Sequence, residues 1–365
     1  MIAVYISGHG YGHSTRTGEV LRVVRARAPR LPIAVVTSAP PFLLEGAVGA
    51  PLVVRRLECD IGLAQKDALV IDEAETAARW RRFAAAWDDL VAAEAEWLRA
   101  KGVCLVVGDI PPLAFAAASA AGLPSVALGN FSWDWIYRHL AAREPVLGEA
   151  AEVARAAYAT ATLLLRLPFA GDLGAFPRIE DVPLVARRPS VERGTARRRL
   201  DLADRPAVLL SFGGLGLPGL RPDAYGALSG YQFLLTGGRG EGVLPSNLRP
   251  LGPAELESAG LDYPDLVEAV DVVVTKPGYG IVTDCIGAGT RMVYTDRGDF
   301  PEYPILVRGL SEHLPAAFVS NEDVREGRLA GPLESVLARP VPPPPDISGA
   351  ERAAERLLEL AGSDS

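Results

Sequence analysis

Ten residues near the start, "SGHGYGHSTR" (residues 7 to 16), hold three glycines and two of the chain's four histidines, directly after the apolar run "IAVYI". Imidazole titrates near neutrality, so a histidine here is suited to take a proton from a reacting hydroxyl. Glycine lets the backbone adopt positive φ and approach a ligand closely. A helix that follows, capped by Ser14, presents its first amides to an anion. The pattern is not the G-x-G-x-x-G of a dinucleotide turn. The next apolar run, "PIAVVTSAPP", also ends without the acidic residue that holds a ribose, so nicotinamide binding is disfavoured. The simpler reading is that both histidines only hydrogen-bond their loop.

A second constellation is "VVVTKPGYGIVTDCIG" (residues 272 to 287). It predicts a buried strand over Val272 to Val274 and a helix from about Ile281, with Gly278 and Gly280 keeping the helix start open and Lys276 adding a charge beside it. Amides, helix dipole and ammonium together suit a diphosphate without a metal. Asp284, about one turn on, is placed to accept from a ribose. The stretch "LLSFGGLG" offers another glycine loop, Gly213 to Gly216, facing the same phosphates. No Asp-x-Asp element between strands marks a metal site, so no metal and no cofactor are expected. The alternative for both loops is an ordinary strand-to-helix turn.

On the other side of such a cleft, Asp109 ends one predicted strand and Asn130 to Tyr137 follow the next. Trp133, Trp135 and Tyr137 supply flat apolar faces and Asn130 and Asp134 polar orientation, a mixture suited to a sugar or polyol. Aromatic packing under a hinge is the competing reading. The loop "ECDIGLAQKDALVID" carries Asp60, Gln65, Lys66, Asp67 and Asp72, which either reach an acceptor or form a solvated face.

Short β-branched runs alternating with alanine-rich stretches are the elements that must position these residues, and they are the mark of parallel sheets covered by helices. At 365 residues the chain fits two domains, divided near the proline- and arginine-rich run at residues 183 to 205. A tract "PVPPPP" then leads to a helix with Ala353, Leu357, Leu358 and Leu360 on one face, which is free to cross back to the first domain. The net charge is −8 and the arginines are scattered, which argues against a nucleic-acid partner. Three separated cysteines, no membrane-length apolar run and no export signal lead to an expected cytoplasmic location. Only Lys66, Lys101 and Lys276 are lysines, so a lysine beside a glycine loop carries information.

Taken in order, "SGHGYGHSTR", "SAPPFL", "CDIGLAQKDALVID", "AEWL", "LVVGDIPP", "GNFSWDWIY", "RLPF", "DVPLV", "SFGG", "KPGYGIVTD" and "DFPEYPIL" resemble the glycosyltransferase-like N-terminal region of plant arabinokinases and its free-standing bacterial relatives. More distantly they resemble the GlcNAc-transferase of peptidoglycan synthesis. The resemblance covers about residues 1 to 337 and is most specific at "GNFSWDWIY" and "KPGYG". It implies an α/β, GT-B fold: two Rossmann-like doubly wound domains facing an interdomain cleft. Residues 1–185 would bind the acceptor and 186–340 the nucleotide sugar, with 341–365 as the proline tract and last helix. The resemblance assigns His13 to the family's loop histidine. It assigns Gly278, Tyr279, Gly280, Ile281 and Val282 to the diphosphate, Asp284 to the ribose, and Asp299 with Glu302 to the hydroxyls of the donor sugar. Two departures stand out: the ribose position more often carries glutamate, and this sequence stops where an arabinokinase continues into its kinase domain, so no sugar-kinase activity is expected.

The expected function is therefore metal-independent, inverting transfer of a sugar from a nucleoside diphosphate, most simply UDP, to a small polar acceptor. The catalytic residues are His13 and Asp109, the latter orienting either His13 or the acceptor. The donor set adds Gly12, Gly213, Gly214 and Lys276 to the residues above. The acceptor set is His9, Tyr11, Asp60, Gln65, Asn130, Trp133, Asp134, Trp135 and Tyr137. The alternatives are a sugar-nucleotide hydrolase or epimerase on the same fold, and a non-catalytic sugar-nucleotide-binding module.

Overall fold

The computed structural model describes residues 1–41, 44, 48–49, 52–65, 71–202, 204–213, 216–238 and 243–362. Gly214, Lys66 and Asp67 lie outside the described residues. Among the described residues the strands form two sheets, and every pairing between strands in them is parallel.

The first sheet contains β1 (Ile2–Ile6), β2 (Ile33–Thr37), β3 (Leu52–Arg56), β4 (Leu105–Asp109), β5 (Ser125–Gly129), β6 (Leu163–Arg166) and β7 (Ile179–Asp181), in the spatial order β3-β2-β1-β4-β5-β6-β7. The second contains β8 (Ala207–Ser211), β9 (Gln232–Thr236), β10 (Leu248–Pro250), β11 (Val272–Thr275), β12 (Arg291–Tyr294) and β13 (Ala316–Phe318), in the order β10-β9-β8-β11-β12-β13. Both are doubly wound. The central strands are unbroken apolar runs because each has a covered face on both sides. In β1, Ile2, Val4 and Ile6 enter one core layer while Ala3 and Tyr5 enter the other. In β8, Val208 and Leu210 separate in the same way from Ala207 and Leu209.

This strand order decides where a ligand can sit. The chain leaves β1 toward β2 on one side and β4 lies on the other, so the loops at the carboxyl ends of β1 and β4 diverge and open a crevice. The loop "SGHGYG" follows β1 and Asp109 is the last residue of β4, opposite Ile6 in register. In the second sheet the divergence falls between β8 and β11, whose ends carry the loops at Gly213 and at "KPGYG".

Two segments cross between the sheets side by side. Gly349 N–H donates to Leu184 C=O at 3.1 Å and Leu184 N–H donates to Asp346 C=O, also at 3.1 Å. The helix Gly349–Leu360 then packs Ala350, Ala353, Ala354, Leu357 and Leu358 into the first domain's core beside Val20, Leu21 and Val24. The first domain's core is thus closed by residues from the far end of the sequence. Truncating the fully covered Leu357 to alanine removes transfer energy and leaves a cavity, a combined cost of about 2–5 kcal/mol. Leu357→Ala should lower the thermal unfolding midpoint, measured by circular dichroism, and an unchanged midpoint would show that the helix contributes nothing to the first domain.

Candidate active site

The helix after β1 runs Gly12–Arg27, three residues earlier than a Ser14 cap implies; Tyr11 takes the cap position and Ser14 is buried in the first turn. Gly10 has φ +73°, the left-handed conformation that glycine supplies without strain. The second-half helix also starts early, spanning Tyr279–Ala288 with Gly278 as its cap. Gly12 and Gly280 bring the two helix starts together across the cleft: a Cβ built on Gly280 would lie 3.4 Å from Thr15 Oγ1 and 3.9 Å from the Gly12 Cα. Both positive helix ends therefore face one place, the arrangement that attracts an anion. The amides of Tyr279, Gly280 and Ile281 form the open first turn, whereas Val282 N–H already donates to Gly278 C=O at 3.0 Å. Val282 is a core residue.

His13 and Asp109 meet. His13 Nδ1 lies 2.8 Å from Asp109 Oδ1, with His13 6 % exposed and Asp109 wholly covered. Asp109 also accepts from Arg16 Nε through Oδ2 at 2.8 Å, from Arg16 Nη2 through Oδ1, and from the Thr17 hydroxyl. Burial alone would raise this carboxyl; the Arg16 and His13 charges and hydrogen bonds outweigh it and hold Asp109 well below the usual carboxylate range. An ionised Asp109 oxygen that only accepts requires the proton of a neutral His13 to sit on Nδ1. Arg16 Nη2, 3.2 Å from Nδ1, cannot then donate to it and serves Asp109 instead. Nε2 remains as the basic nitrogen.

His9 takes the complementary role of a neutral loop fastener. Its Nδ1 accepts from Leu63 N–H at 3.3 Å and its ring meets Trp133 edge-on, centroids 5.5 Å apart. Burial first, then the charges of His13, Arg297 and Lys276, push its pKa down to about 3. Lys276 stands half-buried after β11, Tyr11 is 43 % exposed at the loop tip, and Gly213 is exposed in its own loop.

The aromatic motif after β5 sits beneath the site. Trp133 and Tyr137 are buried and stacked, centroids 5.4 Å apart with planes 13° from parallel. Trp133 Nε1 donates to Asp60 Oδ2 at 2.8 Å, Ser7 Oγ donates to Asp60 Oδ1 at 3.1 Å, and the Tyr137 hydroxyl donates to Gly62 C=O at 3.2 Å. Trp135 packs on the Gly171 backbone, and Asp134 is engaged by Ser132, Arg138 and Arg155. Trp133, with Tyr137 stacked on it, meets the rings of both His9 and His13 and so packs as a floor beneath them. Asp72 caps the helix Glu73–Ala85 by accepting from Glu75 N–H at 3.0 Å, and Gln65 is exposed.

Asp284 departs furthest from its expected place. It is 2 % exposed, and Arg187 in the interdomain segment engages its carboxylate through Nε and Nη2 as well as its backbone N–H. The shorter aspartate is spent on fixing the hinge segment to the helix Tyr279–Ala288. Asp299 and Glu302 instead reach across to the first domain. Asp299 is paired with His139 at 3.0 Å and with Arg143, while the buried Glu302 accepts from Asn130 Nδ2 at 2.6 Å and from Arg297 Nη1 at 2.7 Å.

Sequence reasoning missed Arg16, Ser7, Thr17, Arg143 and Arg297. For Arg16 a signal was present: it lies three residues after His13, the spacing that puts both on one helix face. Among the described residues, no three histidines, cysteines or carboxylates gather as a metal site, and no helix is long and apolar enough to cross a membrane.

With this geometry in hand, likeness to known proteins becomes informative. No family model matches the chain. An L-arabinokinase of Arabidopsis thaliana is 32 % identical over 99 % of this chain, which spans about a third (34 %) of that protein's length. Among solved structures, the glycosyltransferase SnogD from Streptomyces nogalater superposes with a TM-score of 0.56 at 19 % identity, covering 99 % of this chain and 95 % of that one. Phytolacca americana UGT2, complexed with UDP-2fluoro-glucose and pterostilbene, gives 0.60 at 12 % identity, covering 99 % and 94 %. The glycosyltransferase VinC, in complex with DTDP, gives 0.57 at 15 % identity, covering 99 % and 95 %.

Asp60 supplies a test of the site's electrostatics. Burial raises its pKa from an ordinary 3.8 to about 6, against the opposing pull of Ser7, His13 and Trp133. The folded chain thus holds a proton that the unfolded chain releases near pH 4, so stability falls as pH rises from 4 to 6, by about 2–3 kcal/mol at most. Relative to Asp60→Asn, wild type should lose stability to urea across that window, and a pH-independent difference would show that Asp60 titrates normally. The whole arrangement, in strand order, sheet pairing and structural likeness, makes the chain a GT-B-fold protein related in sequence to a plant L-arabinokinase.

Proposed function

We propose that the chain is a glycosyltransferase that moves a sugar from a nucleoside diphosphate, most simply UDP, to a hydroxyl or similar nucleophile on a small polar acceptor. The observation that carries this reading is the His13–Asp109 pair at the divergence of the first sheet, set directly against the helix start of the second. His13 Nε2 takes the acceptor's proton. The acceptor oxygen forms its bond to the anomeric carbon on the face opposite the departing diphosphate, and the configuration inverts. The electron pair of the broken carbon–oxygen bond goes to the diphosphate, whose charge the amides of Tyr279, Gly280 and Ile281 and the Lys276 ammonium stabilise. Asp284, Glu302 and Asp299 are left out of the donor set because Arg187 holds the first, Asn130 and Arg297 the second, and His139 and Arg143 the third. No metal is required in this scheme, since amides and ammonium carry the charge.

The plant relative's name describes a sugar kinase, and the structural relatives are glycosyltransferases by name. Product analysis with UDP-hexoses and UDP-pentoses, beside L-arabinose with ATP, separates the two. Free sugar or an epimer formed from donor alone would mean that water or the diphosphate, not an acceptor, completes the reaction. Removing a positioned general base costs about 10²–10⁴ in rate, so His13→Ala should lower turnover by that factor while UDP still binds; undiminished turnover would take His13 out of the mechanism. Calorimetric titration should show UDP bound in preference to GDP and TDP, and more weakly by Lys276→Ala. Equal affinity in the variant would remove Lys276 from the donor site.

A further inference from the structure

One chain of hydrogen bonds runs without a break from the base to the second domain, and every side chain in it is buried or nearly so. His13 meets Asp109; Asp109 accepts from Arg16; Arg16 Nη1 donates to Asn130 Oδ1 at 2.7 Å; Asn130 Nδ2 donates to Glu302 Oε1 at 2.6 Å; and Glu302 Oε2 accepts from Arg297 Nη1 at 2.7 Å. The domain boundary falls at one bond, Asn130 to Glu302. Arg16 has a second tie to the other domain, for its guanidinium carbon lies 5.2 Å from the ring centroid of Tyr279 at the start of the diphosphate helix. Asn130 was expected to touch an acceptor, yet it is fully covered and both ends of its amide are in use.

We propose that Asn130 is a positioning residue that makes the base His13 depend on closure of the cleft, by relaying the docking of Glu302 through Arg16 to Asp109. The proposal rests on reading His13 as the base. An amide suits this position because it accepts on one side and donates on the other: Arg16 offers only donors and Glu302 only acceptors. A carboxylate there would satisfy Arg16 and repel Glu302; an apolar residue would leave both buried charges short of a partner. With the cleft open, Arg16 loses the Asn130 anchor's support and the ring of Tyr279 together, and the fork that fixes Asp109 is free to turn. A base assembled only on closure keeps an open, wet site from spending the donor on water.

The amide's polarity provides the test. Asn130→Asp retains an acceptor for Arg16 but cannot donate to Glu302. Adding Glu302→Gln restores the bond in reverse, since the new amide donates to residue 130 while its oxygen still accepts from Arg297. Two readouts need no knowledge of the substrate: the radius of gyration from small-angle X-ray scattering, and the Nδ1–H resonance of His13 in ¹⁵N-labelled protein, assigned by its absence in His13→Ala. Asn130→Asp should enlarge the radius of gyration and broaden or remove the His13 resonance, and the double variant should return both toward wild type. Glu302→Ala, which cuts the same bond from the other domain, should reproduce the loss if Asn130→Asp folds poorly. A wild-type His13 resonance in the Glu302→Ala protein, or a folded double variant that recovers neither readout, would overturn the proposal. Titration of wild type with UDP, run alongside, reports on the donor reading separately. Absent UDP binding with a resonance that is lost and restored removes only that reading, whereas UDP binding with an unaltered resonance removes only the coupling.

Discussion

Arg16 and Asp109 form a fully desolvated ion pair, 3 % and 0 % exposed by side chain, and the geometry of the site follows from it. Neither charge can be removed alone: an uncompensated partner left in the interior costs about 3–5 kcal/mol. Asp109 is held by strand register at the end of β4 and Arg16 by the first turns of the helix Gly12–Arg27, so the pair ties a strand end to a helix start. His13, one helical turn before Arg16, is then delivered to the remaining acceptor capacity of the same carboxylate. The ion pair thereby sets both the position of the imidazole and which of its nitrogens carries the proton.

The pair would be inert in the middle of a sheet. It matters because both doubly wound sheets diverge at their centres, at β1/β4 and at β8/β11, and each divergence carries a glycine-bearing loop that leads into the open start of a helix. Parallel strands put all these loops at one edge of each sheet, and the two crossing segments near Leu184 and Asp346 turn the edges toward each other. At Gly280 the second helix comes so near the first that a Cβ there would already touch Thr15 Oγ1, which leaves little room for a larger side chain.

How much of this was legible in the sequence differs by length scale. The apolar, β-branched runs legible in the sequence, such as β1, β4, β8 and β11, lie inside their sheets, where both faces are buried and composition is forced. Short strands such as β7, β10 and β13, at the sheet edges, carry too little apolar pattern to read. The α/β class, the GT-B arrangement and the position of His13 follow from local motifs. The roles of Trp133, Tyr137 and Asp284 do not, because tryptophan and tyrosine supply the same surface to a sugar and to a core, and because Arg187, 97 residues from Asp284, announces its pairing nowhere locally. Asn130 was singled out for its polarity and stands in the expected domain, but it is fully covered and bonded to protein on both sides of its amide. Its partners, Arg16 and Glu302, lie 114 and 172 residues away in the sequence.

Charge pairs flank the site on both sides of the cleft. Around His13 the carboxylate of Asp109 is matched by Arg16, and across the cleft that of Glu302 is matched by Arg297, so the buried side chains flanking the site are balanced in pairs. A proton arriving on His13 adds a positive charge to a region whose nearest carboxylate is already committed. Two converging helix starts deepen the positive potential there, and the charges of Arg297 and Lys276 are felt as far as His9. An anion held where the helix starts meet would balance that positive charge.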